Sequence, residues 1–129
     1  MPSASPSIPI SRVLRVLREV RVEKVGLSEE QLHAIISRDL KQAGIAHERE
    51  KRFAPGCRAD FWIERGIVIE VKKRRPARAD LLAQVTRYAA CAEVRHLIVM
   101  LERSINLPLK IEQADVHMVS MNAAWGISV

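Results

Sequence analysis

Residues 67–72 read Ile-Val-Ile-Glu-Val-Lys, and the fold turns on how this stretch is taken. Three apolar residues in a row fit a strand buried on both faces. Side chains alternate along a strand, so Glu70 and Lys72 share one face and Val71 takes the other. A carboxylate and an ammonium at the end of a core strand need a reason to be there.

Reading outward supplies the context. "RADFWIE" at 58–64 alternates as a second strand, and Arg65-Gly66 between the two predicts a tight β-hairpin. In it Asp60 and Trp62 share one face, Phe61 and Ile63 the other. Further back, "APGC" (54–57) is a turn and "IAHEREKRF" (45–53) an extended, polar edge strand. Ser28 is a suitable N-cap for a helix that Gly44 stops, with Leu32, Ile35, Ile36, Leu40 and Ala43 as its apolar stripe. Downstream, the basic run "KRRPAR" (73–78) leads to a helix over 79–94 that carries Leu81, Leu82, Val85 and Ala89 on one side. "HLIVML" (96–101) reads as another doubly buried strand, then a loop or short helix, then a last strand over 115–121. This order predicts one α/β domain over 11–129, with an αβββαβ core and a mixed central sheet flanked by helices.

Two segments lie before that core. Residues 1–10, rich in Ser and Pro, read as a flexible leader. Residues 11–25, "SRVLRVLREVRVEKV", form a basic amphipathic stretch, helix-like at first and strand-like at its end. It fits either a helix packed on its own domain or an arm laid against DNA, a membrane or a second copy of the chain.

Composition narrows the functions. Among 129 residues, 21 Lys and Arg face 15 Asp and Glu, a net charge of +6 that favours a polyanionic partner, nucleic acid first. Two cysteines, Cys57 and Cys91, exclude a four-cysteine zinc site or an iron–sulfur cluster. No Gly-rich phosphate loop occurs, which argues against a nucleotide cofactor. Aromatic residues are 4%, too few for a stacking platform, and Trp62 and Trp125 read as core. His33, His47, His96 and His117 lack zinc-site spacing and read as structural. No apolar run is long enough to span a bilayer and no secretory signal opens the chain, so the expected location is the cytoplasm.

The chemistry concentrates around the hairpin. Asp60 can come beside Glu70 and Lys72 at one end of the sheet, and Glu29, in the first turn of the first helix, points toward what that helix covers. Clustered carboxylates repel unless they take up a proton or a cation. All-oxygen ligands suit Mg²⁺ or Mn²⁺. Lys72, roughly 6–7 Å along the strand from Glu70, can orient the attacking water or offset charge building on a phosphoryl group. Acids with a metal, one lysine and a basic surround describe phosphodiester hydrolysis.

Asp60, then Glu70-Val71-Lys72 across a hairpin, with an acidic residue on a preceding helix, resembles the PD-(D/E)XK (restriction-endonuclease-like) nuclease superfamily. Gln84 and Tyr88 match the Gln-x-x-x-Tyr signature of some of its branches. The resemblance spans about residues 28–101. It departs at Ala59, where the superfamily name has Pro. It implies a Mg²⁺-dependent deoxyribonuclease, Mn²⁺ substituting, in which Asp60 and Glu70 hold the metal with Glu29, or else Glu30, completing the site. It further implies that Lys72 positions the water, that Gln84 contacts the water, Lys72 or a phosphate beside Tyr88, and that DNA is the partner. Arg58, Lys73, Arg74, Arg75 and Arg78 are placed to meet its backbone. A Holliday-junction-resolvase-like homodimer, with the 11–25 arm as its surface, and an inactive DNA-binding module of the same fold are the alternatives.

Overall fold

The computed structural model describes residues 8–22 and 26–121. Along them run α1 (Ile10–Arg18), α2 (Glu29–Gln42), β1 (Glu48–Ala54), β2 (Cys57–Ile63), β3 (Ile67–Lys72), α3 (Arg78–Ala89), β4 (His96–Leu101), β5 (Lys110–Ile111) and β6 (Ala114–Ser120). The strands make one mixed sheet ordered β1-β2-β3-β4-β6-β5. β1, β2 and β3 form an antiparallel meander, whereas β3, β4 and β6 run parallel. The apolar runs of β3 and β4 follow from this placement. Both lie in mid-sheet with helices on each side, so neither face can be polar along most of its length.

Alternation along β3 divides two cores. Ile67, Ile69 and Val71 pack with α1 and α2, and Val68 packs with α3. Glu70 and Lys72 continue the Val68 side, so they emerge beneath α3.

The bounds of α2 are set by local signals. Ser28 caps α2 through a capping box: its Oγ accepts from the Gln31 N–H (3.1 Å) and its own N–H donates to Gln31 Oε1 (2.9 Å). Gly44, at φ +75, ends the helix in the left-handed turn that the Ile45 N–H to Leu40 carbonyl bond requires. The buried face of α2 includes Leu32, Ile36 and Leu40, but also His33 and Ser37, while Ile35 is only half-buried. α3 begins at Arg78 and ends at Ala89, several residues short of the sequence expectation, because a turn-rich segment over 90–95 intervenes before β4.

The 11–25 stretch is helical where described, apart from a short continuation. Val13, Leu14 and Leu17 of α1, with Val20 and Val22 beyond it, are buried in the core shared with α2 and β6. Burial of each such side chain contributes about 1.5–3 kcal/mol, so the apolar side of this segment is spent inside the molecule. Residues 1–7, 23–25 and 122–129, and with them most of the leader and Trp125, lie outside the described residues. The short β5, which pairs with the start of β6, was not expected from sequence. No helix among the described residues is long and apolar enough to cross a membrane.

Candidate active site

The β2–β3 ladder holds only from Ile63↔Ile67 to Phe61↔Ile69. Beyond it the backbones part, and two acidic side chains occupy the opening. Asp60 Oδ2 accepts the Val71 N–H at 2.7 Å, and Glu70 Oε1 accepts the Asp60 N–H at 3.3 Å. Each carboxylate therefore satisfies an amide of the opposite strand that the ladder no longer reaches.

The parting has a counterpart on the edge strand. Glu50 lies in β1 between the pairs Arg49↔Phe61 and Lys51↔Ala59, opposite Asp60, with φ at +51. A left-handed residue inside a strand is uncommon and strained outside glycine. Alternation on β2 slips at the same point: Ala59 and Trp62, three apart, both pack on the α3 side. Asp60 consequently does not simply share a face with Trp62, as even alternation predicts. It stands at the slip, between the strands, within reach of α2.

Glu70 is 4% exposed, at the centre of a polar network. Lys72 Nζ lies 3.6 Å from Glu70 Oε2. From α3, Gln84 Nε2 donates to Glu70 Oε2 (3.4 Å) and to Tyr88 Oη (3.1 Å). Tyr88 Oη lies 2.7 Å from the Arg58 carbonyl and 3.3 Å from Glu70 Oε1. A phenol has one proton, and the shorter contact takes it; the longer one is completed when Glu70 carries a proton. Burial, and then the neighbouring Asp60 charge, push the Glu70 carboxyl up to about 7. Burial also raises Asp60, with the Val71 N–H, His33 and Lys72 pulling it partway back. Burial and the Glu70 charge push the Tyr88 hydroxyl up to about 12, so it stays a donor.

The two acids at the start of α2 separate clearly. Glu30 pairs with Arg49 on β1 at 3.3 Å. Glu29 turns the other way, its Oε1 3.8 Å from His33 Nε2, although its side chain is 65% exposed. His33 Nε2 also lies 3.8 Å from Asp60 Oδ2 and is the one buried side-chain polar atom, among the described residues, without a hydrogen-bond partner. His33 is a site residue that sequence reasoning passed over. A lone histidine beside an apolar stripe reads as core, and only its position one turn after Glu29 carried a signal.

These groups line a pocket of about 530 Å³. Glu29, Asp60, Glu70, Lys72, Gln84 and Tyr88 share it with Arg58, Lys73 and Arg74, which supply further positive charge. Arg75 and Arg78 are employed differently. Arg75 donates to the Ser104 carbonyl (3.4 Å) and Arg78 to the Asn106 carbonyl (2.7 Å), tying the loop after β4 to the segment between Lys72 and α3.

The donor set fits a small divalent cation. The buried Glu70 and half-buried Asp60 carboxylates are close enough to repel, which favours a proton on the pair, and an unpartnered imidazole nitrogen faces Asp60; a cation would replace the proton and engage the nitrogen. Among the described residues, no three His, Cys, Asp or Glu side chains are already gathered as a ready metal site. Glu29 stands apart from the Asp60–Glu70 pair and reaches toward it through His33. No protein-family model, curated protein or solved structure matches this chain.

Proposed function

We propose that this chain is a divalent-metal-dependent nuclease of the restriction-endonuclease-like fold that hydrolyses DNA phosphodiester bonds. The observation that carries the reading is the pair of acids, half-buried Asp60 and buried Glu70, each bonded to the other's strand, with the Lys72 ammonium 3.6 Å from Glu70. A structural ion pair at a strand end needs neither the second acid nor the orphaned imidazole. Acids in a pocket also lined by Arg58, Lys73 and Arg74 would weaken a module that only bound a polyanion.

Asp60 and Glu70 would hold the cation, with His33 and Glu29 alongside. Mg²⁺ or Mn²⁺ bound there supplies Lewis-acid charge to the phosphoryl oxygen and a more acidic water. Lys72 holds a fixed positive charge where negative charge develops, and Gln84 keeps Glu70 oriented through its amide. Arg58, Lys73 and Arg74 contact the phosphate backbone and hold the scissile strand against the acids.

The test is a cleavage panel on plasmid, linear, nicked, single-stranded and four-way-junction DNA. Scission is expected with Mg²⁺ and none in EDTA. Lys72→Ala is expected to slow it by about 10²–10³-fold. Scission indifferent to EDTA, or equal in the variant, means the site is misassigned; salt-sensitive retention without scission identifies a binding module instead. Preference for the four-way junction points to the resolvase-like reading.

His33 carries a separate expectation. Oxygen ligands suit Mg²⁺, whereas imidazole is characteristic of transition metals. Calorimetric titration without DNA should therefore show His33→Phe losing about 10–100-fold in Ni²⁺ affinity, with Mg²⁺ affinity changed far less. Equal losses for both ions would remove the nitrogen from the site.

A further inference from the structure

The tip of the β1–β2 hairpin is a turn whose twist does not match its strands. Pro55 and Gly56 are its two central residues, and Gly56 has φ +71, the left-handed second position of a type II turn. Two-residue hairpins favour the primed turns, whose twist matches that of the strands; a type II turn splays them. The β1–β2 register indeed shifts between Arg52 and Ala54. Yet this tip is part of the pocket, which both Gly56 and Arg58 line.

What fixes the tip is α3. Arg87 donates from Nε to the Gly56 carbonyl at 3.3 Å, and its guanidinium carbon lies 5.7 Å from the centre of the Tyr88 ring. Tyr88 holds the Arg58 carbonyl two residues on, and the Cys57 thiol between them points at the Arg87 carbonyl, 3.9 Å away. Phe53, on the other arm of the hairpin, packs edge-on to Tyr88 and stacks on Trp62. Three consecutive hairpin residues are thus tied to one turn of a helix. Arg87 itself is exposed and does not line the pocket, so whatever it contributes to the site passes through the hairpin.

We infer that Arg87 is a positioning residue: by clasping the Gly56 carbonyl it sets the Pro55–Gly56 tip and Arg58 as the wall against which a nucleic-acid strand lies. Gly56 suits such a wall. A Cβ placed there would meet nothing within 4 Å, so the main chain is open to a ligand's approach. The inference rests on the nucleolytic reading for its substrate, and it assigns to the hairpin the binding of the strand, leaving the chemical step to Asp60, Glu70 and Lys72.

The test uses Arg87→Met, which keeps the stem over Tyr88 and removes the donor, and Arg87→Lys, which restores a donor. In the full chain, Arg87→Met should raise KM for DNA by about tenfold, the effect of losing one charge-assisted bond, with kcat within about twofold. Arg87→Lys should recover part of the loss. Amide exchange at residues 56–58 should quicken in Arg87→Met and not at the Val71 amide. Anisotropy of a labelled oligonucleotide in EDTA gives the affinity without catalysis. If the wild type holds the oligonucleotide but never cuts it, the nuclease reading fails while affinity and exchange still decide the role of Arg87. Unchanged exchange at 56–58, unchanged affinity, or a loss confined to kcat overturns the inference.

Discussion

Glu70→Gln is expected to abolish cleavage, by about 10³-fold or more, while leaving the metal-free protein at least as stable as the wild type at pH 8. The two outcomes have one cause. Burial and Asp60 raise the Glu70 carboxyl from 4.5 to about 7 in the folded chain. Between those values the native state binds more protons than the unfolded one at this group, so its contribution to stability is fully present below about 4.5 and is lost as pH rises through about 7. The decline is of order 2–3 kcal/mol, and the raised Asp60 adds to it in the same direction. The amide that replaces the Glu70 carboxyl in the variant carries no charge at any pH and lacks this contribution to the decline.

On the metal-dependent reading, a bound cation should reverse the trend in the wild type alone. Thermal unfolding with millimolar Mn²⁺ should raise the wild-type Tm at pH 8 and not at pH 5, where a proton competes for Glu70. The variant should show no Mn²⁺ shift at either pH. Cleavage by the wild type at limiting Mg²⁺ should fall as pH drops below the raised Glu70 value of about 7, and saturating Mg²⁺ should move the fall to lower pH. A metal-free wild type that does not lose stability relative to Glu70→Gln between pH 5 and pH 8 would contradict the assignment of Glu70 as a buried acid strained by Asp60.

The second large effect is on the fold. Gly66, in the β2–β3 turn at φ +84, passes so close to the segment before β4 that an added Cβ would sit 1.8 Å from the Glu93 carbonyl oxygen and 3.0 Å from the Arg95 nitrogen. Its own carbonyl accepts from the Arg95 N–H (2.8 Å) and the His96 N–H (3.1 Å), the bonds that begin β4 beside β3. The obstruction is backbone on both sides, so no side chain can swing away to relieve it. Gly66→Ala should cost about 3–5 kcal/mol and lower Tm by about 10 °C or more. Gly56→Ala is the control, with a similar positive φ (+71) and open space around it, and should cost about 1 kcal/mol. Similar losses at the two positions would show backbone strain to be the whole effect, with the contact to Glu93 irrelevant.

Much of this arrangement is legible in the chain itself. The apolar runs of β3 and β4, the hairpin at Arg65-Gly66, the Ser28 cap and the four-residue spacing of Gln84 and Tyr88 are local signals, each with a local cause. The parts that escaped depend on contacts between distant segments. The slip at Asp60 requires a left-handed Glu50 on a neighbouring strand, which nothing in "EREKRF" announces. His33 gains meaning only once α2 is laid over Asp60. Arg75 and Arg78 look like two more cations in a basic run until the loop over 102–109 offers them carbonyls. The amphipathic 11–25 stretch could not name its own apolar partner, because a helix that packs inward and one that packs on another molecule carry the same stripe.

The exchange of amides between Asp60 and Glu70 also limits how these acids could hold a cation. Asp60 Oδ2 is committed to the Val71 N–H, and Glu70 Oε1 to the Asp60 N–H. Asp60 keeps Oδ1 clear of these strand amides, and the second Glu70 oxygen, Oε2, faces only the longer contacts to Gln84 (3.4 Å) and Lys72 (3.6 Å), so on the metal-dependent reading each acid would offer a cation one oxygen. Ca²⁺, which takes six to eight oxygens and often a carboxylate by both arms, is poorly served by such a pair; a smaller octahedral ion that keeps most of its hydration sphere is well served. On the nucleolytic reading, water kept by such an ion would be at hand for hydrolysis.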